Sequence, residues 1–217
     1  ARTKDDLVTL RDEATPDRVH AFPLDITDAA ATEETIEIIE TELGPLSLVV
    51  LNAGTYFPMS ADTFDLKKFR LLVETNLIGT ANSLAYVMPK FIDRKSGHIA
   101  VVGSLAGYRG LPTSAAYGAT KAGLINMCEA LRPELKHHGV RLTLINPGFV
   151  ETPLTDKNDF PMPFLIPVNE AAEHIVRGLN GSAFEIAFPG RFAILMKVLR
   201  ILPDWLFFKL TRRMMSE

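Results

Sequence analysis

A single cysteine, Cys128, stands among 217 residues, which excludes an internal disulfide framework and suits a reducing cytoplasm. Histidine is scarce too. The five, at positions 20, 98, 137, 138 and 174, show no metal-ligand spacing, so no metal site is expected. No run of 18 uninterrupted apolar residues occurs, which argues against a membrane-spanning helix. The opening "ARTKDDLVTLRDE" lacks the apolar core of a signal peptide. Positive charge is not in excess: the formal net charge is −3, which gives no reason to expect nucleic acid as a partner.

What remains is the composition of a globular chain, 47% hydrophobic and 23% charged, long enough to bury a sizeable core. Strand-like and helix-like segments alternate along it. "RVHAFPLDIT" reads as a strand ending at Asp25, and "DAAATEETIEIIETEL" as a helix stopped by Gly44-Pro45. "LSLVVLNAG", "GHIAVVGS" and "VRLTLINPG" are apolar runs with the look of strands buried on both faces. A long helix spans "DLKKFRLLVETNLIGTANSLAYVMPKFIDRKSG". Another spans "SAAYGATKAGLINMCEALRPELKHHG", with Ser114 as N-cap, Gly139 as C-cap and a bend at Pro133. "NEAAEHIVRGL" and "AFEIAFP" add a helix and a last strand. This alternation predicts an α/β fold, a doubly wound parallel sheet with its ligands beyond the carboxyl ends of the strands. Asp25, Asn52, Ser104 and Asn146 each fall at such an end, which suggests one shared site.

Tyr117 and Lys121 are four residues apart and share one helical face. A free tyrosine titrates at about 10, too high for useful proton transfer at neutral pH. A nearby ammonium favours the phenolate and lowers that value. The loop "LAGYRGLPTSAA" can return the Ser104 hydroxyl to Tyr117. Proton donor, tuning cation and orienting hydroxyl together suit carbonyl reduction or alcohol oxidation, with hydride brought by a cofactor, since no side chain supplies one.

The succession "LDITD", "LNAG", "VETNLIG", "GSLAG", "YGATK" and "NPGFVET" resembles the short-chain dehydrogenase/reductase family, in the family's order and over nearly the whole chain. The resemblance implies a Rossmann-like, NAD(P)-dependent oxidoreductase with the following roles. Tyr117 protonates the carbonyl oxygen and Ser104 orients it. Lys121 lowers the tyrosine pKa and hydrogen-bonds the nicotinamide ribose. Asn76 holds a water that relays protons toward Lys121. Asp25 and Ile26 meet the adenine, Asn52, Ala53 and Gly54 let the backbone pass close to the cofactor, and Pro147, Gly148, Val150 and Thr152 line the nicotinamide end. The chain departs from the family pattern at Val101 and Gly103, where asparagine and serine are frequent; both changes concern strand packing.

The larger departure is at the start. The family opens with a strand and a glycine-rich turn that cradles the pyrophosphate at a helix N-terminus, and no such motif lies upstream of Asp25. "ARTKDDL" resembles the residues just after the family's second strand, so the native polypeptide is expected to be longer. Without that unit, "RVHAFPLD" has no neighbour and "LSLVVLN" exposes an apolar edge. At the corresponding end of the second strand stand Ala1 and Arg2. A small residue followed by a guanidinium suits a 2′-phosphate, which favours NADP, with NAD as the other candidate.

On the substrate side, Tyr56, Phe57, Leu105, Tyr108, Phe149, Phe160 and Phe164 form an apolar lining that favours a lipophilic carbonyl or alcohol. The expected domain covers 1–190. Residues 191–217 form a basic, amphipathic extension, with Phe192, Leu195, Met196, Leu199 and Leu202 on one helical face and Lys197 and Arg200 on the other. It either covers the cleft or a partner subunit, or lies in a membrane interface through 191–213. A homodimer or homotetramer pairing the two long helices is expected. Two rival readings stand beside the oxidoreductase: a catalytically silent binding or scaffold protein of the same descent, and an epimerase or dehydratase that retains its cofactor unconsumed.

Overall fold

In the computed structural model, which describes residues 2–14, 18–157 and 160–212, one four-stranded sheet runs β1 (Leu48–Leu51), β2 (His98–Val102), β3 (Arg141–Pro147), β4 (Glu185–Phe188), in that order and all parallel. Ala1 and residues 213–217 of the extension lie outside the described residues. The helices, in chain order, are α1 (Lys4–Glu13), α2 (Ala29–Glu42), α3 (Leu66–Val73), α4 (Gly79–Arg94), α5 (Ala115–His137), α6 (Val168–Asn180), α7 (Gly190–Ile201) and α8 (Asp204–Thr211).

The two-residue period of the strands decides which helix covers which face. Ile99 and Val101 of β2, with Leu142 and Leu144 of β3, enter a cluster shared with Ile36 of α2, Val87 of α4, Leu124 of α5 and Met196 of α7. Ala100 and Ile145 enter a second one, with Ala171 of α6 and Ile186 and Phe188 of β4. Helices on both faces of a parallel sheet make this the doubly wound α/β arrangement that the sequence pattern predicts.

Local signals act as written in several places. Asp28 caps α2 by accepting from the Ala31 N–H at 3.0 Å. Gly139, at φ +75°, turns the chain just beyond α5. That helix contains Pro133 without ending there. Ser114 occupies the position before the helix, but its hydroxyl makes no capping bond.

Elsewhere the structure corrects the reading. Residues 18–25 form no strand. A strand needs a backbone partner, and none of the described segments supplies one. β1 is not buried on both faces: it is the outer strand of the sheet, with Leu48 40% and Val50 42% exposed. The "DLKKF…" helix is not uniform, since a π turn at Glu74–Ile78 joins α3 to α4. In α7, Phe192, Ala193 and Met196 face the core, but Leu195 turns outward.

Arg109 ties α7 and α8 to the body. Its Nη1 donates to the carbonyls of Leu199, Arg200 and Leu202 at 3.3, 3.1 and 2.6 Å, capping the end of α7. Nη2 meets Asp204 at 2.5 Å, and the guanidinium lies 4.1 Å from the Phe207 ring centroid. A cation on orphan helix carbonyls acts through both hydrogen bonds and the helix dipole. Arg109→Ala is therefore expected to cost about 2–3 kcal/mol, roughly 5–10 °C in Tm. A Tm within 1–2 °C of the parent, roughly the scatter of a neutral surface change, would show that the clamp is dispensable.

Candidate active site

Because the strands are parallel, their carboxyl ends share one edge of the sheet. Asn52–Gly54 follow β1 there, Ser104 follows β2 by two residues, and Pro147 ends β3. The first two turns of α5 carry Tyr117 and Lys121 to the same edge.

The Ser104 hydroxyl acts on the Tyr117 phenol, lowering its pKa. It accepts from the Ala106 N–H at 3.1 Å and reaches the Pro147 carbonyl at 3.4 Å, so the start of the following turn fixes its position. Lys121 is buried, with its Nζ donating to the Val102 carbonyl at 2.8 Å and lying 5.7 Å from the Tyr117 ring centroid. Burial brings its pKa down to about 8. Burial also pushes the Tyr117 phenol above its ordinary value, and the bond from Ser104 offsets this only in part. The expected lowering by Lys121 does not prevail in this geometry: desolvation is the largest influence on the phenol. Tyr117 is a protonated phenol at neutral pH.

Asn76 sits in the π turn with no exposed surface. The Thr55 N–H donates to its Oδ1 at 2.7 Å, and its Nδ2 donates to the Thr55 carbonyl at 3.0 Å and to Thr120 Oγ1 at 3.1 Å. Both amide hydrogens are thus spent on protein, leaving Oδ1 as the atom with spare accepting capacity. Gly54 lies beside it: a Cβ there would come within 3.3 Å of Asn76 Oδ1 and 3.8 Å of Lys121 Nζ. Thr55 and Thr120 escaped the sequence reading. Thr120 could have been found, since it is the hydroxyl inside Tyr-Gly-Ala-Thr-Lys; Thr55 carries no such signal.

The remaining residues fall into separate groups. Asp25 accepts from the Thr27 N–H at 3.0 Å and the Thr27 hydroxyl at 2.8 Å, bonds that hold its carboxyl below the usual range. Arg2 lies 3.5 Å from the same carboxylate, both side chains well exposed. Ile26 packs its side chain on Gly79 and gives its carbonyl to Asn82 Nδ2 at 3.0 Å. Gly148 donates to the Phe188 carbonyl and leaves no room for a Cβ against Phe192. Val150 bridges to Ile166. The Thr152 N–H donates to Thr155 Oγ1 at 2.9 Å, and that hydroxyl donates to the Val150 carbonyl at 2.7 Å.

Three residues leave the expected site. Asn146 does not join it: its Nδ2 donates to Glu185 at 2.7 Å, on a carboxylate that also takes the Tyr108 hydroxyl and, at 2.5 Å, the Lys197 ammonium. Tyr108 and Leu105 are core residues, not cleft lining. Tyr56 does stand at the site, its ring edge-on to Tyr117 at 5.0 Å. Phe149 and Phe164 both stack on Phe192, and Phe160 meets Phe149 at 6.1 Å.

The family model for short chain dehydrogenases matches residues 1–161. The chain belongs to that family. A relative described as an uncharacterized oxidoreductase, from Myxococcus xanthus (strain DK1622), is 42% identical over 210 residues, 96% of this short-chain dehydrogenase and 83% of that protein. Among solved structures, a short-chain dehydrogenase from Streptomyces avermitilis aligns with a TM-score of 0.82 at 24% identity, over 98% of this chain and 84% of that one. One from Burkholderia cenocepacia J2315, in complex with NADP, aligns with a TM-score of 0.80 at 24% identity, over 91% and 83% of the two chains. At that identity the structures speak for the fold. Family and relative together make the chain an oxidoreductase.

Proposed function

We propose that this oxidoreductase interconverts a carbonyl and an alcohol on a lipophilic small molecule, using NADP. The observation that carries the reading is the buried Lys121 ammonium, which donates to the Val102 carbonyl at 2.8 Å and lies 5.7 Å from the Tyr117 ring centroid, with Ser104 acting on the same phenol. Such an ammonium keeps donors for a polyhydroxyl ligand, and the bare Cα of Gly54 leaves room for one next to it. These features fit the nicotinamide ribose, which Lys121 and the Asn52–Gly54 backbone would hold, with Pro147, Gly148, Val150 and Thr152 at the ring. Arg2 would meet a 2′-phosphate close to Asp25 and Ile26. When bound, the nicotinamide supplies or accepts the hydride.

The protein's own part is proton handling. In reduction the Tyr117 hydroxyl gives its proton to the carbonyl oxygen as that oxygen gains charge, while Ser104 donates a hydrogen bond to the same atom. Lys121 returns a proton toward Tyr117, and Asn76 Oδ1 can hold the water that links Lys121 outward. Tyr56 and the Phe149, Phe160 and Phe164 rings supply the apolar wall that favours a lipophilic substrate. Exposed Phe64, Leu66, Leu71 and Ile78 on the α3 stretch support a homo-oligomer.

The test is a panel of apolar ketones and aldehydes with NADPH or NADH. One mole of reduced cofactor should be consumed per mole of alcohol formed, with NADPH bound roughly tenfold more tightly. Turnover without net consumption would point to an epimerase or dehydratase, and the absence of any cofactor binding to a scaffold; either result overturns the proposal.

A further inference from the structure

α7 is apolar on two sides, and only one is used. Phe192, Ala193 and Met196 are in the core, while Ile194 is 66% and Ile201 79% exposed, with Val198 between them at the helical spacing i, i+4, i+7. α8 repeats the pattern: Phe207 is buried beneath Arg109, whereas Trp205 and Phe208 are 70% and 63% exposed. A surface helix normally turns polar residues outward, so these two present an apolar face that no described residue covers. No described helix is long and apolar enough to cross a membrane.

Charge decides what fits that face. Between Arg191 and Arg213 stand six Lys/Arg and one acid, a net +5 in a chain whose other residues carry −8. The one acid, Asp204, is paired with Arg109 at 2.5 Å, while Lys197 and Arg200 are paired with Glu185 and Glu129 outside the segment, so the outer face relies on Arg191 and Lys209. Lys209, four residues after Trp205 on the same side of α8, is exposed, as is Arg191 at the start of α7. Exposed tryptophan and phenylalanine beside lysine and arginine suit the boundary between lipid headgroups and acyl chains. A second copy of the same face would set like charges against each other, which disfavours self-pairing.

We propose that the outer face of α7 and α8 docks the protein on an anionic membrane surface, with Trp205 and Phe208 entering the headgroup boundary and Arg191 and Lys209 contacting lipid phosphates. The contact is peripheral and reversible. It is independent of the redox reading, because no residue of the Ser104–Tyr117–Lys121 group takes part.

Trp205 is the single tryptophan of the chain, so its emission reports on this face alone. The experiment adds the intact protein to vesicles of phosphatidylcholine, or of phosphatidylcholine with phosphatidylglycerol, and follows both tryptophan emission and flotation. The expected result is a blue shift and flotation with the phosphatidylglycerol vesicles only, weakened by salt. Trp205→Glu and Phe208→Glu should each lower flotation by about tenfold or more without changing turnover of a soluble substrate. Should either variant fold poorly, the emission of the parent protein alone decides the matter. No shift with anionic vesicles would overturn the proposal. So would a dimer in sedimentation velocity that Phe208→Glu converts to monomer, since the face would then belong to a second copy.

Discussion

Tyr117→Phe is expected to lose about 10³-fold or more in turnover while keeping its fold to within about 1 kcal/mol. The ring can stay where it is, edge-on to Tyr56, and only the hydroxyl that meets Ser104 is gone. Steady-state rates and a thermal melt check both halves of the expectation. A fully active variant would remove Tyr117 from the chemistry, and an unfolded one would make it structural. The parent's pH profile adds a direction. Reduction needs a protonated phenol, which burial secures, and a protonated Lys121, which is lost as pH rises through about 8. The reductive rate should therefore fall above that pH, and the oxidative rate should rise, because oxidation draws on the deprotonated pair.

Lys121→Met is expected to lower turnover sharply and raise stability at pH 7. Lowering the pKa of Lys121 from 10.5 to about 8 corresponds to about 3 kcal/mol of burial cost. That cost is complete below about pH 8, where folded and unfolded chains both hold the proton. It is relieved between about 8 and 10.5, where only the unfolded chain holds it, so the parent gains stability as pH rises through that window. Methionine removes the charge but strands the Val102 carbonyl, at about 1–2 kcal/mol. The net gain should be about 2–5 °C in Tm at pH 7, shrinking toward pH 10.5. Turnover should drop by roughly 10²–10⁴-fold. Melts of the two proteins across that pH range decide it: a variant that melts below the parent at pH 7 means that the buried ammonium is not a cost.

Much of the architecture was legible because its causes are local. The spacing of Tyr117 and Lys121, the cap at Asp28 and the apolar runs of β2 and β3 each depend on a few neighbouring residues. Residues 18–25 and β1 were legible only through what the sequence lacks: with no glycine-rich strand and turn upstream of Asp25, the one has no strand beside it and the other lies at the rim. What could not be read depends on partners far along the chain. Tyr108 and Leu105 looked like cleft lining because they follow Ser104, but their positions answer to β4 and α7. The phenol of Tyr117 is the clearest case. Its sequence neighbour suggested a lowered pKa, and only three-dimensional burial, which no four-residue spacing encodes, reverses the direction.

Glu185 joins three stretches through one carboxylate: the turn after Ser104 through Tyr108, the end of β3 through Asn146 and the C-terminal helices through Lys197. Neighbours of that kind do not vary one at a time. Replacing any one of the three donors leaves the half-buried carboxylate short of a partner that the other two must make good, so tolerated changes at 108, 146 and 197 should arrive together. The sheet edge that carries Ser104 and the helices proposed to meet lipid are thus tied by one carboxylate into a common fate.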